Sequence, residues 1–124
     1  MNEIRCKRVY ELPTDTDGYR ILVDRLWPRG INRETAKISQ WAKDIAPSSD
    51  LRKWFSHDPQ RFGEFAVQYT RELDSNPSAE VFMDDLRCSL ADAPVTFLYA
   101  AKDTEHNHAL VLKNWVDSHL PGGK

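Results

Sequence analysis

The sequence predicts an α/β domain in which a small, mostly parallel sheet of about three or four strands is flanked by about five helices. Three observations predict it. Ile21-Leu22-Val23 and Val95–Ala101 are short, continuous apolar runs, the pattern of strands buried on both faces. Between them lie segments whose apolar residues recur at helical spacing behind recognisable caps. The whole chain has 124 residues, with 40% hydrophobic and 29% charged, enough for one core and one domain. No repeat, low-complexity block or linker divides it, so residues 1–124 read as a single domain, with 121–124 as a flexible tail.

The elements come in this order. Ile4 to Val9 reads as a strand, and its charged Arg5, Lys7 and Arg8 suit a sheet edge. Pro13 to Gly18 is a turn-forming loop. Tyr19 to Asp24 is the second strand. Asn32 to Ile45 is ambiguous: Ile38, Trp41, Ala42 and Ile45 fit a helical face, whereas Trp41, Lys43 and Ile45 alternate. Pro47 forces Ala46 to be extended. Ser48 or Ser49 caps a short helix with Leu51, Trp54 and Phe55 on one face. Asp58-Pro59 and Asn76-Pro77 are helix starts. The first aligns Phe62, Phe65, Ala66, Tyr69 and Leu73; the second aligns Ala79, Phe82, Met83, Leu86 and Leu90. The last helix is expected to begin near Thr104 and to carry Leu110, Leu112, Trp115, Val116 and Leu120.

Charge and composition exclude several classes. Seventeen basic and nineteen acidic residues leave a formal charge of −2, which argues against a general nucleic-acid binder. No apolar run approaches the about 20 residues needed to span a membrane, and no apolar signal core opens the chain. A cytoplasmic setting is expected. Cys6 and Cys88 belong to no Cys-x-x-Cys pair and read as reduced, buried thiols rather than nucleophiles. Phosphate-binding glycine loops and the serine nucleophile elbow are absent from the sequence.

Two polar segments carry the chemistry. Val23-Asp24-Arg25-Leu26-Trp27-Pro28-Arg29-Gly30 leaves the second strand through a stiff turn, and guanidinium groups there can hold an anion. Arg20 and Arg33 read as solvated surface. Lys102-Asp103-Thr104-Glu105-His106-Asn107-His108 follows the most apolar strand and opens the last helix. Ligands of open α/β sheets gather beyond the carboxyl ends of strands, and helix N-termini offer free amides. If the two strands are parallel neighbours, both segments share one rim. Asp24, Arg25, Trp27, Arg29, Lys102, Asn107 and His108 are then the candidate ligand-binding residues, with Asp103 and His106 as candidates for proton transfer. Plainer roles compete: Asp24 as an arginine's partner, Trp27 as a core plug, Asp103 or Thr104 as an N-cap. A zinc pair of His106 and His108 is rejected, because an i, i+2 spacing on a helix turns them about 200° apart. His57 reads as a structural helix-end histidine. No metal or organic cofactor is implied.

The Val23–Gly30 stretch resembles the YeaO-like family. So do Trp41-Ala42-Lys43, Ala46-Pro47-Ser48, Leu51-Arg52-Lys53-Trp54-Phe55, His57-Asp58-Pro59 and Leu98-Tyr99-Ala100-Ala101-Lys102-Asp103 with His106-Asn107-His108-Ala109. These are small bacterial proteins, and the resemblance implies a compact α/β fold and a cytoplasmic setting but no reaction. Longer members of the wider group carry Asp-Val-Arg at a strand end and Cys-His-Arg at the start of a late helix. Asp24-Arg25 and Asn107-His108-Ala109 resemble their counterparts. Asn107 then stands in the cysteine's place and Ala109 in the arginine's, so thiol chemistry would not transfer. The function expected is binding of a small anionic ligand bearing phosphate, sulfate or carboxylate, with acid/base catalysis as an extension. The alternative is a non-catalytic module that binds a protein or a nucleic-acid end.

Overall fold

The computed structural model describes residues 2–120, so the expected flexible tail at 121–124 lies outside the described residues. Four strands form one all-parallel sheet: β1 (Ile4–Arg8), β2 (Tyr19–Leu22), β3 (Gln40–Trp41) and β4 (Val95–Tyr99), in the order β1-β4-β2-β3. The most apolar strand, β4, sits between β1 and β2, with Ile4 and Tyr19 both paired to Val95. The charged β1 is an edge strand, as its alternation predicts. There are four α-helices among the described residues rather than about five: α1 (Ser49–Phe55), α2 (Phe62–Asp74), α3 (Pro77–Asp92) and α4 (His108–His119). The ambiguous stretch before Pro47 is neither a helix nor a long strand. It is turns around the two residues of β3, followed by a 3-10 turn at Lys43–Ile45.

Alternation along the strands divides the core. Ile21, Val23, Val95, Phe97 and Tyr99 face the main cluster, which contains the inward residues of all four helices. Leu22 and Leu98 point the other way, to a smaller cluster with Val9, Ala36 and Ile38, edged by Trp27 and Trp41. The second face is therefore covered by the irregular chain between β2 and β3. Of the expected helical faces, α3 buries all five of its residues. In α2, Phe65, Tyr69 and Leu73 are buried while Phe62 and Ala66 are partly so.

The caps lie largely where short polar side chains predict them. Ser48 accepts from the Leu51 amide, Asp58 from Gln60 and Asn76 from Ser78. Asp58 opens a 3-10 turn that runs into α2. The last helix is a correction. It starts at His108, not near Thr104, because Asn107 is its cap and accepts from the Leu110 amide. Asp103 instead accepts from the amides of Glu105 and His106, closing a turn ahead of the helix.

Two surface expectations also change. Arg20 is buried, not solvated: it is 2% exposed, pairs with Asp17 at 2.6 Å and donates to the Ala36 carbonyl. Lys7 joins the same carboxylate at 3.1 Å. Burial would raise the Asp17 carboxyl, but hydrogen bonds from Thr14, Lys7 and Arg20 outweigh it and lower the value to about 2. Cys88 is exposed on α3. Cys6 is half-buried, with its thiol pushed up to about 12 by burial, so it is a poor nucleophile.

Candidate functional site

The two polar segments meet. At the carboxyl ends of β2 and β4 opens a cavity of about 640 Å³, lined from both of them. Asp24, Arg25 and Trp27 come from the β2 exit; Lys102, Asp103, Asn107 and His108 come from the β4 exit and the start of α4. The parallel pairing of β2 with β4 causes this, since it sends both chain exits off the same sheet edge. The volume suits a single small ligand.

Asp24 ties the two exits together. Its Oδ2 accepts from the Ala100 amide at 3.1 Å. Its Oδ1 lies 2.8 Å from His108 Nε2, with side chains only 15% and 16% exposed. The contact is close but off the line of an ordinary hydrogen bond, and neither atom has another partner or meaningful exposure. Asp24 thus pairs with a histidine and not with an arginine.

Arg25 lines the cavity but is largely committed elsewhere. Its Nε donates to the Pro47 carbonyl at 2.9 Å and Nη2 to the Ala46 carbonyl at 3.2 Å. Arg8 does the same across the sheet, donating to the carbonyls of Ala101 and Ala100. Each guanidinium fork fastens an irregular segment beside the cavity. Trp27 is partly buried at the edge of the smaller cluster, as the core-plug reading expects, and it also borders the cavity. It packs edge-on to Trp41 with ring centroids 5.2 Å apart, donates to the Ile31 carbonyl and lines the cavity. Asn107 is 1% exposed and bound at both ends of its amide, to Leu110 and to the Asp103 carbonyl.

Arg29 and His106 are not brought in. Arg29 is exposed and outside the lining. His106 also lies outside it, with Nδ1 2.9 Å from Asp103 and its ring edge-on to Phe62. The hydrogen bond from the Glu105 amide, joined by those from the ring and amide of His106, holds the Asp103 carboxyl below its ordinary value. His106 precedes α4 and His108 begins it, so the two rings serve different carboxylates. Among the described residues no group of three or more His, Cys, Asp and Glu is placed to hold a metal ion.

Sequence reasoning missed Arg52 and His57, which line the cavity with Phe55, Phe65 and Pro47. Arg52 and Lys102 are exposed and make no side-chain hydrogen bond or ion pair among the described residues. The signal that could have flagged His57 is its place after a helix end. Ser56 and His57 have φ of 48° and 56°, and two consecutive left-handed residues without glycine are uncommon. They turn the chain so that His57 faces the cavity and Asp58 can cap the 3-10 turn leading into α2.

Residues 3–123 match the family model described as "Inactive DUF488-N3 subclade". The chain belongs to this DUF488-N3 subclade. That agrees with the resemblance read from its motifs. Uncharacterized protein YeaO of Escherichia coli K12 is 44% identical over 115 residues, 93% of this chain and 97% of its relative. Uncharacterized protein Rv3073c of Mycobacterium tuberculosis H37Rv is 40% identical over 109 residues, 88% of this chain and 89% of the relative. No solved structure matches the chain. For this DUF488-N3 member, no helix among the described residues is long and apolar enough to cross a membrane.

Proposed function

We propose that the protein binds a small ligand with an anionic group and a flat apolar body, and that it does so without chemical conversion. One observation carries the reading: an apolar, aromatic-walled cavity has two cations beside it, Arg52 and Lys102, with no protein partner among the described residues. The cavity's two acids do not offset them freely. Asp24 is engaged by His108 and Ala100, and Asp103 by His106 and two amides. An anion is the group that would satisfy the remaining charge. Trp27, Phe55, Phe65 and the two prolines would contact its body.

Binding without conversion is favoured by two facts. No Ser, Thr or Cys lines the cavity to act as a nucleophile, and His106 lies off it. The subclade's description as inactive points the same way. The acid/base extension through Asp103 and His106 is therefore the weaker reading.

Saturation-transfer NMR with benzoate and phenyl phosphate tests the proposal. Wild type should give signal for at least one probe. The Arg52→Ala/Lys102→Ala double variant should weaken that binding about tenfold or more while keeping its fold. A loss of about 1.4 kcal/mol corresponds to that factor. Silence from both probes, or equal binding by the double variant, would overturn the reading.

A further inference from the structure

The cavity's one buried carboxylate–histidine pair narrows the ligand further. At 2.8 Å the Asp24 carboxylate can only accept, so the hydrogen of a neutral His108 ring belongs on Nε2. That leaves Nδ1 with a bare lone pair. Nδ1 has no hydrogen-bond partner among the described residues, yet it is not one of the buried unpartnered atoms. Nδ1 is thus not fully enclosed, and His108 lines the cavity. The rest of the pair is rigid. Asp24 is also held by the Ala100 amide, and the backbone of His108 is set by the Asn107 cap at the first position of α4. Carboxylate and cap together orient one acceptor at the cavity surface, as a neighbouring carboxylate orients a metal-binding or catalytic imidazole.

We infer that His108 Nδ1 is a hydrogen-bond acceptor for the bound ligand, and that the ligand class is an aromatic anion bearing an O–H or N–H donor on its ring. This rests on the binding reading above and specifies it. Lys102 and Arg52 can only donate, and they serve the anionic group. The Asp24 and Asp103 carboxylates are already engaged. His108 is thus the acceptor available to a donor on the ligand, and Asp24 is a positioning residue. A site built to accept from a ligand hydroxyl discriminates strongly against the analogue that lacks it, because the buried acceptor is then left unpaired.

Two measurements test this. In the first, binding of 3- and 4-hydroxybenzoate is compared with benzoate and 4-methoxybenzoate by calorimetry. Wild type should prefer one of the hydroxylated probes about tenfold or more, and in His108→Phe that ratio between hydroxylated probe and benzoate should fall to about one. Benzoate bound without any preference for the hydroxylated probes would overturn the inference and leave the binding reading standing. Failure of all four probes would overturn the inference, and silence from phenyl phosphate as well would overturn both. The second measurement needs no variant or ligand. Ring nitrogen NMR of wild type at about pH 8, above the ordinary imidazole range, should show His108 protonated at Nε2. Protonation at Nδ1 would overturn the assignment even if the protein binds benzoate.

Discussion

Two charged clusters stand at opposite ends of β2, and they behave differently. At the amino end, Asp17, Arg20 and Lys7 close on one another, with side chains 5%, 3% and 17% exposed. Gly18 seals that end: a Cβ there would fall 2.0 Å from the Pro94 carbonyl oxygen. At the carboxyl end, the chain exits diverge around a cavity, and Arg52 and Lys102 remain unpaired beside it among the described residues. The same residue types therefore do different work. Where loops pack tightly, opposite charges pair and hold the fold, with Arg20 Nη2 alone left buried without a partner in that cluster. Where a parallel sheet releases its strands, charge is left for something else.

The sharpest way to break this comparison is to remove Arg20. Arg20→Ala leaves Asp17 with Lys7 as its one ion-pair partner among the described residues and should cost about 3 kcal/mol in urea unfolding. A loss below about 1 kcal/mol would mean the cluster is not closed. Arg25→Ala comes next. It frees the carbonyls of Ala46 and Pro47 and should cost about 2 kcal/mol, measured the same way. A stability-neutral variant with weakened probe binding would instead place Arg25 with the open cluster.

Acid gives a comparable effect at the closed end. The Asp17 value falls from 3.8 to about 2 on folding, so its contribution is complete above about pH 4 and is lost as pH falls towards 2. The loss is on the order of 2 kcal/mol. Unfolding free energy measured across that window should carry this slope in wild type, and the slope should be shallower in Asp17→Asn. The smallest stability effect belongs to the open end. Arg52→Ala should change unfolding by less than about 0.5 kcal/mol, because the side chain is exposed and unpaired. A large loss would show that Arg52 holds structure after all.

Much of this was legible in the residues. Local signals named the caps at Asp58 and Asn76, narrowed the first to Ser48 or Ser49, and gave the edge character of β1 and the apolar centre of β4, because each depends on neighbours a few positions away. The shared rim of Asp24 and His108 was also anticipated, since parallel strands must exit on one side. Arg20 was misread because nothing local says that Asp17 and the Ala36 carbonyl will enclose it. The same holds for His57, whose turn into the cavity depends on left-handed backbone at Ser56 and His57. The start of α4 was misplaced because Asp103 and Asn107 are both good caps, and Asp103 was taken by its own turn.

The order of apolar and polar residues was by itself enough to specify an α/β domain and to place two polar segments after two of its strands. Hydrophobic period and capping are short-range properties that a linear reading captures. Which arginine became a bolt and which cation stayed free was settled only in three dimensions. That outcome depends on whether a distant carbonyl or carboxylate arrives within about 3 Å of the guanidinium, a distance no local pattern encodes.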